Sequence, residues 1–139
     1  MLKYSIIFGI IVMIIIGSVV YLVYANQNSA NLEPLLLDKE GRITIDAYLE
    51  RGLADKIIVL ESKHCSACKI VIPRLQELER ELGVDIIYLD LSKKEDQDRA
   101  KEFKIWPKYT PTVLIGRDVL IGAYSKEKYK EVIENFLNS

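Results

Sequence analysis

An α/β domain carried behind one membrane-spanning helix is what this chain of 139 residues predicts. Three observations carry that expectation. Residues 5–25 form an uncharged apolar run of twenty-one residues, the length a helix needs to cross a bilayer. From Leu35 onward, strand-like apolar runs alternate with segments whose apolar residues recur at helical spacing, the pattern of a layered α/β fold. Between one such run, Ile57-Ile58-Val59-Leu60, and one such segment, reaching to about Leu82, stands the only cysteine pair, Cys65-Ser66-Ala67-Cys68.

The apolar run reads SIIFGIIVMIIIGSVVYLVYA. Gly9, Gly17 and Ser18 are compatible with a helix in lipid, and Tyr21 and Tyr24 fall where an interfacial aromatic belt lies. Residues 1–25 are therefore expected to be a transmembrane anchor. Lys3 and the amino terminus precede the span, and no Lys or Arg follows it until Lys39. That asymmetry places the N-terminus in the cytoplasm and the rest of the chain in the periplasm or at the cell exterior. Val23-Tyr24-Ala25 offers a competing reading, a signal peptide removed by cleavage, but signal-peptide apolar cores run only about 7–15 residues. Residues 26–34, NQNSANLEP, are polar and without period and suit a short tether. Residues 35–139 remain as one domain.

Within that domain Leu35-Leu36-Leu37 and Ile43-Thr44-Ile45 are alternative first strands. Asp46 can cap a short helix that ends before Gly52. The continuously apolar run Ile57-Ile58-Val59-Leu60 reads as a strand buried on both faces. After the cysteines, Val71, Leu75, Leu78 and Leu82 form one stripe of a core-facing helix that Gly83 ends and Pro73 kinks, turning its first turn and Cys65 outward. A strand follows at Val84-Asp85-Ile86-Ile87-Tyr88-Leu89. Ser92-Lys93-Lys94-Glu95 reads as a capping box opening a helix to about Lys104. Val113-Leu114-Ile115 and Val119-Leu120-Ile121, joined by Gly116-Arg117-Asp118, read as a hairpin. Tyr129, Val132, Ile133, Phe136 and Leu137 give a last core-facing helix that Ser125 can cap.

Charge excludes some functions. With Lys3 set aside, 18 basic residues stand against 20 acidic ones, a formal charge of −2 that gives no reason to expect nucleic acid as a partner. The sequence has no internal repeat, low-complexity tract, phosphate-binding glycine loop or Ser/His/Asp set.

A cysteine pair in the first turn of a helix has specific chemistry. Unsatisfied backbone N–H groups and the positive end of the helix dipole stabilise a thiolate there. Cys65, with Lys63, His64 and Lys69 beside it, is expected to be the nucleophile, its pKa below the free-thiol value of about 8.5. Cys68, one turn later and more buried, can attack a mixed disulfide and release the partner. A closed zinc site needs further ligands, and His64 is the only histidine. A metal or iron–sulfur cluster shared between two copies stays open as an alternative. Inert packing cysteines sit more often singly within an apolar face.

Cys65-Ser66-Ala67-Cys68-Lys69 followed by Pro73 resembles the C-x-x-C-K motif and helix-kinking proline of the thioredoxin family. Thr110-Pro111-Thr112 resembles its cis-proline segment, and Ile121-Gly122-Ala123 before the last helix is similar to its closing strand and helix. The match covers roughly residues 35–137 in the right order. It implies a thioredoxin-like three-layer fold with a mixed central sheet. It also implies thiol–disulfide oxidoreductase activity toward protein thiols and disulfides, with the Cys65–Cys68 disulfide as the redox group and no other cofactor or metal.

The resemblance further implies a cis bond at Pro111 and a free Thr110 backbone that pairs with an extended substrate; a proline tolerated at a strand start is the plain alternative. His64 and Ser66-Ala67 replace the family's usual tryptophan and Gly-Pro. A protonated His64 would stabilise the thiolate and make the disulfide a stronger oxidant; the other reading is a surface residue. The acid that often serves the resolving cysteine would fall at Val59, and Glu61, on the same strand face, is the candidate substitute, its alternative being a solvated strand end. Trp106, Pro107 and Tyr109 read as an insertion before Thr110, either a substrate-facing lip or packing over the core. Ser66-Ala67 lacks the histidine of strongly oxidising relatives, which favours a reductase or electron relay fed by a membrane partner. The basic cluster around Cys65 favours a thiol oxidase. A non-catalytic adaptor or metal-holding dimer is the competing class.

Overall fold

A computed structural model describes residues 2–30 and 32–139 and divides into two compact units, Met1–Glu33 and Pro34–Ser139. The first unit is a single helix, α1 (Leu2–Ala30), and its stretch Tyr4–Tyr24 is long and apolar enough to cross a membrane. At 1.5 Å per residue those 21 residues span about 31 Å, the thickness of a hydrocarbon core. The apolar side chains Ile6, Phe8, Ile14 and Leu22 are all exposed. The helix continues through Ala30, so helical backbone takes in residues 26–30 of the segment expected to be a tether. Asn31 lies outside the described residues.

The second unit holds β1 (Leu35–Leu37), β2 (Gly41–Arg42), α2 (Ile45–Glu50), β3 (Ile57–Glu61), α3 (Ser66–Leu82), β4 (Ile86–Asp90), α4 (Lys94–Glu102), β5 (Ile105–Pro107), β6 (Thr112–Ile115), β7 (Asp118–Ile121) and α5 (Lys126–Leu137). Five strands form one mixed sheet in the order β2-β7-β6-β3-β4. β3 lies inside it, parallel to β4 and antiparallel to β6, and β6 and β7 form the expected hairpin. β1 and β5 pair separately and in parallel.

Strand alternation sorts the core into two layers. Ile57 and Val59 of β3 point to the side covered by α3 and α5, where they join Val71, Leu75, Leu78, Tyr129 and Ile133. Ile58 and Leu60 point to the other side, with Leu37, Leu89, Ala100 and Ile105. The buried run of β3 is thus apolar because both of its faces are covered. The result is the expected three-layer α/β architecture around a mixed sheet.

Local chemistry differs from expectation in several places. Thr44, not Asp46, caps α2, its hydroxyl accepting from the Ala47 N–H at 3.3 Å. Leu35-Leu36-Leu37 is a strand, Ile43-Thr44-Ile45 is not, and β4 begins at Ile86 rather than Val84. Ser92 does not cap α4: its hydroxyl and N–H both bond to Asp90, Lys93 becomes the cap residue without a side-chain bond, and the helix ends at Glu102. Trp106 and Pro107 are not a loop insertion but part of β5, whose pairing with β1 places Trp106 against the second core layer. The hairpin turn is Gly116-Arg117, with Gly116 at φ +56° in the first turn position, where a two-residue turn calls for glycine.

Carboxylates occupy main-chain donors at the sheet margins. On the outermost strand β4, Glu79 accepts from the Ile86 N–H at 2.9 Å and Asp96 from the Asp90 N–H at 3.0 Å. On β7, beyond its short pairing with β2, Glu40 accepts from the Ile121 N–H at 3.0 Å.

Candidate functional site

The site is built where β3 runs out and α3 begins. Cys65 is the N-cap residue of α3, in extended conformation, and its sulfur accepts from the Cys68 N–H at 3.1 Å. A cysteine thereby takes the place usually held by a serine or aspartate oxygen, and one of the orphan donors of the first helical turn is satisfied by its sulfur. Cys65 and Cys68 form a disulfide. They are unequally exposed: Cys65 is half-buried, whereas Cys68 keeps only 2% of its surface.

Across from the pair, the Thr110–Pro111 peptide bond is cis and Pro111 is buried. The Thr110 carbonyl oxygen lies 3.3 Å from Cys65 Sγ, within reach of the thiol once the disulfide is reduced. The structure therefore brings together four residues singled out in the sequence: Cys65, Cys68, Thr110 and Pro111.

The modulating candidates divide. His64 is exposed, its main-chain N–H donating to Ser62 Oγ at 3.4 Å. Lys69 is also exposed, but its side chain shares a cavity of roughly 360 Å³ with Cys68, Glu61, Ser62, Lys63, Ile72 and Pro73. Glu61 ends β3 half-buried on that cavity. Burial raises its pKa above the ordinary carboxylate range, the nearby Asp90 and Asp96 add to the rise, and Lys93 opposes it. Glu61 is thus a carboxyl that takes up a proton more readily than a solvated one, on the same cavity as the buried cysteine. Tyr109 stands exposed before Thr110 with the Lys108 ammonium 5.5 Å from its ring centroid. Among the described residues no group of three His, Cys, Asp or Glu side chains is placed to hold a metal ion.

Some supports had little sequence signal. Thr112, fully buried, donates its hydroxyl to the Tyr109 carbonyl at 2.7 Å and so holds the turn around Pro111. Gly122 N–H donates to the Pro111 carbonyl at 2.9 Å, tying this turn to the end of β7. A threonine on an otherwise apolar strand was the only hint of the first bond; the second is main chain to main chain and has no residue signature.

Strand order, a cysteine pair at the head of the helix after the central strand, and a cis-proline facing it define a thioredoxin-like fold with a C-x-x-C pair. That combination supports thiol–disulfide exchange in general. No protein-family model matches the chain, and no curated protein matches it. Among solved structures it is similar to thioredoxin 1 of the thermophilic eubacterium Thermosipho africanus TCF52B, at 23% identity over 60% of this chain and 94% of that one, with a TM-score of 0.46. It is also similar to chloroplastic thioredoxin z, at 13% identity over 78% of this chain and 100% of that one, with a TM-score of 0.49.

Proposed function

We propose that this protein is a membrane-anchored thiol–disulfide oxidoreductase that exchanges disulfides with protein thiols in the periplasm or at the cell exterior, as a reductase or electron relay. The observation that carries the reading is the position of Cys65 Sγ, capped by the Cys68 N–H at 3.1 Å and set 3.3 Å from the Thr110 carbonyl. In the reducing direction the Cys65 thiolate attacks a substrate disulfide, and one substrate sulfur leaves as thiolate. Cys68 then loses its proton to Glu61 and attacks the Cys65 sulfur of the mixed disulfide, releasing the second substrate thiolate. The substrate disulfide gains two electrons and the Cys65–Cys68 dithiol loses them, to be restored by a membrane electron-transfer partner. Oxidation of substrate thiols is the same sequence reversed.

Each neighbour has a place in this scheme. Thr110 and Pro111 offer main chain to an extended substrate. Lys69 lines the cavity that Cys68 shares, where its positive charge favours thiolate, and His64 is exposed next to Cys65 in the chain. Helix α1 supplies the anchor, and the positive-inside asymmetry about Lys3 supports the orientation.

The reduction potential of the full chain in detergent micelles, equilibrated against dithiothreitol or glutathione mixtures, tests the direction. A value near −270 mV is expected of a reductase, and one near −120 mV would withdraw that assignment in favour of a thiol oxidase. A Cys68→Ser variant tests exchange itself. It should accumulate mixed disulfides through Cys65 that dithiothreitol releases, whereas an adaptor or metal-holding dimer would trap none.

A further inference from the structure

A chain of hydrogen bonds joins the two halves of the site behind its surface. Arg74 lies on α3, the helix that Cys65 caps, and its Nη1 donates to the Tyr124 carbonyl at 2.5 Å. The Tyr124 N–H donates to the Tyr129 hydroxyl at 3.4 Å, and that hydroxyl donates in turn to the Gly122 carbonyl at 3.0 Å. Gly122 N–H donates to the Pro111 carbonyl at 2.9 Å, and Thr110 meets Cys65 at 3.3 Å. The circuit runs from the cysteine helix through residues 122–124 to the Thr110–Pro111 turn and closes on the nucleophile.

The circuit is built from groups that hold their places. Tyr129 is fully buried, so its hydroxyl has no water to fall back on and both of its bonds are with this loop. The Tyr124 and Tyr129 rings meet edge to face at 6.0 Å and 84°, which helps fix the Tyr129 phenol that bridges residues 122 and 124. The Tyr124 hydroxyl is held separately by Glu40, which also accepts from the Ile121 N–H. Arg74 alone reaches the loop from the cysteine helix by a side-chain bond among those described.

We infer that Tyr129 and Arg74 are positioning residues that set the Thr110–Pro111 main chain at a fixed offset from Cys65, and so set the selectivity for extended peptide disulfides over small ones. This rests on the exchange reading above. A peptide must pair with the Thr110 backbone while its disulfide reaches Cys65, so both distances matter to it. A small disulfide needs only Cys65, whose sulfur is held by its own helix.

The test compares two disulfides that release the same thiol: hydroxyethyl disulfide, and a short synthetic peptide whose single cysteine is disulfide-linked to mercaptoethanol. Both are reduced by the full chain in detergent micelles, with dithiothreitol restoring the Cys65–Cys68 dithiol after each turnover and its uncatalysed rate subtracted. In Tyr129→Phe and Arg74→Met the KM for the peptide should rise about tenfold, equivalent to about 1.4 kcal/mol, while the rate with hydroxyethyl disulfide changes less than about twofold. Arg74→Lys, which keeps a donor, should restore most of the peptide KM. Arg74→Met carries the test if Tyr129→Phe does not fold. An unchanged peptide KM in a folded variant, or equal losses with both substrates, overturns the inference. Wild-type protein inert toward both disulfides overturns the exchange reading instead.

Discussion

At the scale of single residues the two cysteines have separate duties because the fold gives them separate surroundings. Cys65 is half-buried at a helix head, and Cys68 is buried against a cavity it shares with Glu61. The raised pKa of Glu61 has a consequence for stability with a definite sign. A carboxyl whose folded pKa lies above its unfolded value contributes stability that is fully present below the unfolded value of about 4.3 and is lost as pH rises through the folded one. Glu61→Gln should therefore be more stable than wild type at pH 7, and the difference should close on acidification toward pH 4. Urea unfolding at the two pH values measures it, and a variant less stable at pH 7 would contradict the assignment. The same variant should resolve mixed disulfides about tenfold more slowly or worse, since Cys68 loses its proton acceptor. Cys65 and Cys68 were legible in the sequence because their spacing is itself the chemistry, and Glu61 was legible from strand parity. Arg74 and Tyr129 were not. Their bonds end on main-chain carbonyls of a distant loop, and such partners leave no spacing to read.

At the scale of elements, the long ones were legible and the short ones depended on local competition. The stripe Val71, Leu75, Leu78 fixed α3, and the double-sided apolar run fixed β3, because both patterns follow from burial. Ser92 does not cap α4 as its spacing suggests, because Asp90 at the end of β4 captures it first. β5 carries little signal of its own because its strand pairing involves only Leu35–Leu37, far away in sequence. The hairpin between β6 and β7 depends on one glycine. Gly116 sits at φ +56°, and a Cβ there would lie 2.5 Å from the Phe136 ring. Gly116→Ala should cost about 2–4 kcal/mol, from left-handed backbone strain together with overpacking against α5. Thermal or urea unfolding checks it; a loss below about 0.5 kcal/mol, the range of an ordinary surface substitution, would contradict both the strain and the overpacking.

At the scale of the whole molecule, an apolar helix and an α/β domain are joined by a short stretch that follows Ala30. The proposed orientation predicts that, in intact cells treated with a reductant, a membrane-impermeant maleimide labels Cys65, and that Cys65→Ser abolishes the signal. Labelling only after lysis would place the domain on the cytoplasmic side. The carboxylates at the sheet margins bear on what such a domain meets there. Glu79, Asp96 and Glu40 hold the N–H groups of Ile86, Asp90 and Ile121, donors that an adjoining strand would need. Unfolded chains colliding with those margins find these rungs of the ladder already taken. A protein proposed to exchange disulfides with other proteins can thus take hold of them by their sulfurs without annealing to them.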